Sequence, residues 1–300
     1  MYRSFLMTLL QLQPGPRHTK ELQSTIKIAL FDIDNTLIGN DSPGLPTERF
    51  KSAVENVRGE IFVGIASARP LAKAAHILDY IGAEGLSILC NGAQIINNYD
   101  KSVVAEWPMD LGTCADVLQY VQSLGVTYWV NDDGVDYFVG DDGVSYQKQT
   151  NIWDPRSARV AVPDFDLSKP FVVVLHNIRD IQAKSIEAFV QAHPDDTITS
   201  LVAHEVRQLD GSILYDVFVV HKRANKKDAL HELARLQGVS VKDIMAVGDG
   251  RNDAVIVGEA GIGVAMGNSA LETLAVATYI APSMAEDGAA AALNFIYSTK

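Results

Sequence analysis

The chain reads as an α/β protein, a doubly wound parallel (Rossmann-like) sheet core carrying an inserted α+β cap domain. Three observations point there. Short apolar runs alternate with helical patterns near both ends of the chain, the signature of a parallel sheet flanked by helices. In the middle the alternation gives way to hairpin-like runs separated by Asp/Gly turns. Two acidic clusters, Asp32-Ile33-Asp34 and Asp249-Gly250-Arg251-Asn252-Asp253, each follow an apolar run, which places them at strand ends.

Residues 1–25 read as an N-terminal extension. Arg3, Arg17 and Lys20 give residues 1–20 a basic cast without an acid, Phe5–Leu10 is a short apolar patch, and Pro14-Gly15-Pro16 breaks regular structure. No small-x-small cleavage pattern follows the patch, so a loosely ordered extension or a surface helix is expected rather than a leader. The core is expected to occupy 26–91 and 222–300. Ile26–Phe31 is its first strand. Thr47 caps a helix through Val57, with Glu48 in the first turn. Ile61–Ala66 is the second strand, ending at Ser67, and Pro70 suits the first turn of a helix reaching Tyr80. Ile88–Cys90 is a short third strand.

The inserted domain is expected over 92–221. Gln94–Asn97 and Ser102–Glu106 read as strands around a turn. Leu111, Cys114, Ala115, Leu118 and Val121 share one helical face. Tyr128–Val130, Tyr137–Val139 and Phe171–His176 are strands, Ile186, Phe189 and Val190 mark a helix, and Thr197–Val206 pairs with Ile213–Val220 across Leu209-Asp210-Gly211. Alternation returns with a helix from Lys226 marked by Leu230, Leu233 and Ala234. The strands Ile244–Val247, Ile262–Met266 and Thr278–Ala281 follow, then a C-terminal helix from Glu286.

At 300 residues and 47% hydrophobic content the chain can bury a large core, and two domains are expected. A net charge of −12 argues against a nucleic-acid partner, which is bound through excess Lys and Arg, but not against a small phosphorylated substrate. Cys90 and Cys114 form no CxxC pair and read as thiols of a reducing, cytoplasmic setting. No apolar run approaches the roughly 20 residues of a membrane span. The seven histidines show no HxxH or HxxxH spacing for zinc, and no GxxxxGK[ST] run is present. Gly261–Gly267 mimics a dinucleotide fingerprint, but its third glycine is one residue late and its apolar residues suit a strand. Asn131-Asp132-Asp133-Gly134 and Asp141-Asp142-Gly143 lack the ligand alternation of a calcium loop and read as hairpin turns. Oligomeric state is not legible.

Carboxylates about 4 Å apart repel by roughly 4 kcal/mol at an effective dielectric near 20, so paired acids at a strand end call for a cation or a proton. Open parallel sheets bind ligands at the carboxyl ends of their strands. Asp32, Asp34, Ser67, Asp249 and Asp253 all fall there, and Lys226 starts a helix, where phosphate is favoured. Carboxylate oxygens with few other donors suit Mg²⁺ shared with a substrate phosphate.

In these positions the chain resembles the haloacid dehalogenase-like phosphohydrolase superfamily. Four motifs match in order. The family's DxDxT is Asp32-Ile33-Asp34-Asn35-Thr36. Its strand-end Ser/Thr is Ser67, in Gly64-Ile65-Ala66-Ser67-Ala68-Arg69. Its lysine is Lys226, in Asn225-Lys226-Lys227-Asp228-Ala229-Leu230, and its GDxxND is Gly248-Asp249-Gly250-Arg251-Asn252-Asp253. The position of the insertion resembles a type IIB cap and the Cof-type members, as do Asn91-Gly92-Ala93 and the stretch from Gly261 to Asn268. The resemblance covers about 26–300. Asn35, Ala68 and Lys227 stand where glycine is common, and none removes a reacting group.

The resemblance implies a phosphoric monoester hydrolase. Asp32 would be the nucleophile forming an aspartyl phosphate. Asp34 would protonate the leaving oxygen and later activate water, its backbone carbonyl touching the metal. Asp32 and Asp249 would hold Mg²⁺ directly and Asp253 directly or through water, Ser67 and Lys226 would hold the phosphate oxygens, and Asn252 either phosphate or Lys226. The cap would close over the site and select the substrate, with sugar phosphates favoured. Asn91, Arg69 and the hairpin Tyr128–Phe138 are candidate substrate contacts. A phosphomutase or phosphotransferase using the same intermediate, and a non-catalytic phosphate-binding protein, are the alternatives.

Overall fold

The structure, a computed structural model, describes residues 12–18, 26–39, 44–133, 135–139, 158–159, 167–207, 211 and 213–298. Its first compact unit holds the chain through Glu106 and resumes at Asn225; the second is Trp107–Ala224.

The first unit is built on strands buried from both sides, which is why their sequences are apolar without alternation. They are β1 (Gln13–Pro14), β2 (Ile28–Phe31), β3 (Phe62–Ile65), β13 (Ile244–Gly248), β14 (Ile262–Ala265) and β15 (Tyr279–Ile280), in the spatial order β1-β15-β14-β13-β2-β3. All neighbours are parallel except β1 with β15. Residues on alternate positions point to opposite faces. Ala29, Phe31, Val63, Ile65, Met245 and Val247 pack in one cluster with α1 (Glu48–Val57), α2 (Leu71–Ile81) and α8 (Gly288–Ser298), while Ile28, Leu30, Ile244 and Ala246 point the other way and are equally buried. Thr47 caps α1 as expected, its Oγ accepting from Phe50 N at 3.2 Å.

Two expectations fail here. The division of the chain falls at 107 and 224 rather than at 92 and 221. The reason lies in pairing: β4 (Leu86–Leu89), β5 (Gln94–Asn97) and β6 (Val103–Glu106) form one antiparallel sheet, so the chain does not leave the core at Gly92. An Ala66–Ile88 bridge sets β4 beside the end of β3. The N-terminal segment is also more than an extension. Leu12 is buried, Gly15 and Arg17 donate from their backbones to Thr278 and Ala277, and the His18 ring lies edge-on to Tyr279 at 5.0 Å. Pro14, lacking an N–H, is suited to such an edge strand. Residues Phe5–Leu10 of the N-terminal patch, the Asp141-Asp142-Gly143 turn and Leu209-Asp210 lie outside the described residues.

The second unit is a six-stranded sheet with two helices. Its order is β11 (Ile198–Arg207), β12 (Ile213–His221), β10 (Pro170–Arg179), β7 (Tyr128–Asp132), β8 (Val135–Val139) and β9 (Ala158–Arg159), antiparallel except for the last pair. Cys114, Val117, Leu118 and Val121 of α3 (Leu111–Ser123) and Ile186 and Val190 of α4 (Asp180–Ala192) share a core with Tyr128, Val130, Val173, Leu175, Val217 and Val219. The buried face of α3 is rotated from expectation: Leu111 and Ala115 are exposed and Val117 replaces them.

One close approach fixes the start of α5 (Lys226–Leu236). Gly92 has φ +104, and a Cβ there would lie 2.2 Å from the Asn225 carbonyl carbon and 2.7 Å from Lys226 N. Neither backbone can yield as a flexible side chain would. Gly92→Ala should therefore destabilise the protein by about 2–4 kcal/mol and displace Lys226. Urea unfolding and turnover measured together check this; an alanine variant with parental values in both would contradict it.

Candidate active site

The carboxyl end of β2 delivers Asp32, whose N–H completes the ladder by donating to Val247 O at 2.9 Å. On the adjacent strand β13, the chain turns through Gly248 and Asp249 into a single 3-10 turn ending at Asp253. Asp253 Oδ2 accepts from the backbone N–H of Asp249 at 3.1 Å and of Gly250 at 2.9 Å. A Cβ on residue 248 would sit 2.5 Å from Asp253 Cβ, so this turn admits only glycine there. Helix α5 enters from its N-cap Asn225, whose side chain accepts from Asp228 N, and its first residue is Lys226.

Lys226 is 1% exposed, and its Nζ donates to Asp32 Oδ1 at 2.8 Å and to Asp253 Oδ1 at 2.6 Å. Lys227 points elsewhere and pairs with Glu259 at 2.9 Å, so the first of the two lysines is the one in the site. Carboxylate oxygens of Asp32, Asp249 and Asp253 all lie within 4.8 Å of one another, and all three residues are buried. One ammonium thus faces three acids. Burial, then the charge of Asp253, pushes the Asp32 carboxyl up to about 8, against the opposing pull of Lys226. Burial and Asp253 likewise push Asp249 up to about 6. Burial pulls the Lys226 ammonium down, but Asp253 and Asp32 outweigh it and hold it above the usual lysine range.

These three acids fit a hard divalent cation: all donors are oxygens, they converge, and they carry more negative charge than one lysine balances. Because such an ion needs Asp32 and Asp249 as carboxylates, its binding should displace a proton below about pH 8 and a second below about pH 6, so affinity should weaken as pH falls through about 8 and more steeply below about 6. Titration calorimetry with Mg²⁺ in two buffers of different ionisation enthalpy should show different heats at pH 7. Equal heats would contradict this.

Asp34 stands outside the acid cluster. Arg69 holds it, with Nε 3.0 Å from Oδ2 and Nη2 2.5 Å from Oδ1. Arg69, expected as a substrate contact, is thus engaged within the site. Ser67 is fully buried at the end of β3, its N–H donating to Ile88 O at 2.9 Å and its Oγ accepting from Arg69 N at 3.1 Å. Asn91 has φ +54 in a left-handed turn running from Cys90 to Gly92, and its Oδ1 accepts from Asn252 Nδ2 at 3.1 Å. Asn252 therefore reaches Asn91, whereas the Lys226 ammonium bonds to Asp32 and Asp253. In the hairpin Tyr128–Phe138, Tyr128 is core of the second unit and Trp129 Nε1 donates to His176 Nε2 at 2.6 Å. Tyr128 is thus a packing residue rather than a substrate contact.

Sequence reasoning passed over several supports. Thr36 Oγ1 donates to Asp249 Oδ1 at 3.1 Å, tying the first motif to the last. Asn268 donates to Asn35 O at 2.9 Å and accepts from Met284 N at 2.8 Å; Asn35 itself has φ +56. Ser269 and Thr273 donate to Gly248 O and Gly250 O, holding the acidic turn from below. Thr36 was visible as the last letter of DxDxT, but its partner was not.

Convergent carboxylates and a buried lysine at the strand ends of a parallel sheet stand where open α/β sheets place their ligand sites, with charges suited to a metal-assisted enzyme. Residues 29–293 match the family described as haloacid dehalogenase-like hydrolase, and the chain belongs to that family. Over 274 residues it is 24% identical to the 5-amino-6-(5-phospho-D-ribitylamino)uracil phosphatase YcsE of Bacillus subtilis, covering 90% of this chain and 95% of the relative. Its fold is similar to that of the phosphatase BT1666 from Bacteroides thetaiotaomicron (TM-score 0.75, 20% identity, 94% of this chain and 98% of the other). It is also similar to that of the subclass IIB sugar phosphatase BT4131 (TM-score 0.70, 19% identity, 90% and 99%). The Cof-type assignment and the doubly wound core with an inserted cap stand with these findings, and the chain is a phosphoric monoester hydrolase. Among the described residues no helix is long and apolar enough to cross a membrane.

Proposed function

We propose that the chain is a Mg²⁺-dependent phosphatase that hydrolyses a small phosphorylated metabolite through an aspartyl phosphate on Asp32. The observation that carries this reading is the placement of Asp32, a buried carboxylate held by Lys226 and converging with Asp249 and Asp253. Mg²⁺, when bound, would supply charge to offset the acids and to hold the phosphoryl group. Asp32, Asp249 and Asp253 would bind it, with the Asp34 backbone carbonyl.

The chain's own groups divide the remaining work. Asp32 attacks phosphorus, and Asp34 gives a proton to the leaving oxygen, then takes one from the incoming water. Lys226 keeps Asp32 aimed and balances charge on the phosphoryl oxygens, which the Ser67 hydroxyl also meets. Asn252, joined to Asn91, borders the same site and would steady the phosphate.

A sugar or polyol phosphate is the favoured substrate. YcsE acts on a phosphoribityl compound and BT4131 is a sugar phosphatase, so both relatives support a phosphate on a hydroxylated carbon chain. A cytoplasmic setting belongs to the same reading, supported by two cysteines that keep their thiols. The test is release of inorganic phosphate from a panel of sugar, polyol and nucleotide phosphates, with Mg²⁺ and with EDTA, beside an Asp32→Asn control. Phosphate release that survives EDTA or the asparagine variant would overturn the reading.

A further inference from the structure

The mechanism above gives Arg69 no step, yet Arg69 is among the most firmly held side chains of the site. Its N–H donates to Ser67 Oγ at 3.1 Å and its carbonyl accepts from Cys90 N at 3.0 Å, so its backbone is fixed on both sides. Its side chain is 12% exposed, and its guanidinium grips both oxygens of Asp34, at 3.0 and 2.5 Å. The two acids of the DxD run thus have separate cations: Lys226 holds Asp32 through a single point charge, and Arg69 holds Asp34 through a planar fork. A fork fixes the plane of a carboxyl group as well as its position, which an ammonium cannot do.

We infer that Arg69 is a positioning residue for Asp34, fixing the orientation from which its carboxyl exchanges protons with the leaving group and with water. The inference rests on the phosphatase reading above. In the first half-reaction an Asp32 oxygen bonds to phosphorus, the ester P–O bond breaks, and the proton of Asp34 passes to the departing oxygen. In the second, a water oxygen bonds to phosphorus, one of its protons passes to Asp34, and the Asp32–phosphorus bond breaks. Each transfer needs the carboxyl within hydrogen-bond reach of a different oxygen at a defined angle. The Asp34 side chain is one-quarter exposed, and the fork sets which rotamer it presents to the site.

The test compares Arg69→Gln and Arg69→Lys with the parent in Mg²⁺, using 4-nitrophenyl phosphate, whose leaving oxygen departs without a proton, and benzyl phosphate, whose alkoxide needs one. Both variants should lose about 10²-fold or more in kcat/KM for benzyl phosphate while kcat/KM for 4-nitrophenyl phosphate changes little. With the nitrophenyl ester a burst of nitrophenolate should appear, because water activation slows after Asp32 is phosphorylated. In an Asp34→Asn background, Arg69→Gln should add no further loss. Equal losses on both esters carried by KM would make Arg69 a substrate contact, and parental kinetics in Arg69→Lys would show that the fork is not needed; either overturns the inference. If Arg69→Gln does not fold, Arg69→Lys carries the comparison. A parent that releases phosphate neither from these esters nor from the sugar, polyol and nucleotide phosphates would instead sink the phosphatase reading.

Discussion

Lys226→Met is expected to leave the protein both inactive and much less stable. The ammonium is buried, and it bridges Asp32 and Asp253 at 2.8 and 2.6 Å. Methionine fills a similar space but leaves two buried carboxyl groups facing each other without their cation. Removing one partner from a buried ion pair destabilises by about 3–5 kcal/mol. Loss of the charge that balances the phosphoryl group should lower kcat/KM by about 10³-fold. The stability deficit should be largest above pH 8 and shrink as pH falls, because the raised Asp32 carboxyl then takes up a proton and the repulsion ends. Added Mg²⁺ should restore part of it. Urea unfolding at pH 6 and pH 9, with and without Mg²⁺, checks each element; a methionine variant as stable as the parent at both pH values would contradict the arrangement.

Asp32→Asn should separate activity from stability in the opposite way. Removing the nucleophile should lower turnover by about 10⁴-fold or more. The metal-free variant, however, should be more stable than the parent at alkaline pH. The sign follows from linkage. Burial raises Asp32 from its ordinary 3.8 to about 8, so its contribution to folding is full below 3.8 and is lost as pH rises through about 8. Asparagine has no such loss. The parent's stability without metal should therefore decline between pH 6 and 9 and the variant's much less, while Mg²⁺ should stabilise the parent more than the variant. Parallel pH curves for the two proteins would show that Asp32 is not the strained acid of the site.

The core strands were legible because burial on both faces leaves continuous apolar runs, and α1 was legible to the residue because Thr47 and Glu48 mark its start and Val57 its end. The placement of Asp32, Ser67, Lys226 and Asp249 at strand ends or a helix start was legible because each follows an apolar strand or opens a helix, where the register leaves little freedom. What escaped was long-range partnership. Nothing in the spacing ties Arg69 to Asp34 or Thr36 to Asp249, and nothing in Gln94–Asn97 says that it pairs back onto Leu86–Leu89 and so stays with the core. Residues 12–18 misled for a related reason: Pro14-Gly15-Pro16 reads as a break when alone, yet an edge strand against β15 tolerates such residues.

The most direct measurement concerns the covalent step itself. The Asp34→Asn variant, given Mg²⁺ and 4-nitrophenyl phosphate, should release nitrophenolate and then stall, and acid quenching followed by peptide mass mapping should find one phosphoryl group on the peptide containing Asp32. Nitrophenolate released with no phosphoryl group on the chain, or with the group on any other residue, would mean that Asp32 is not the atom source of the attack.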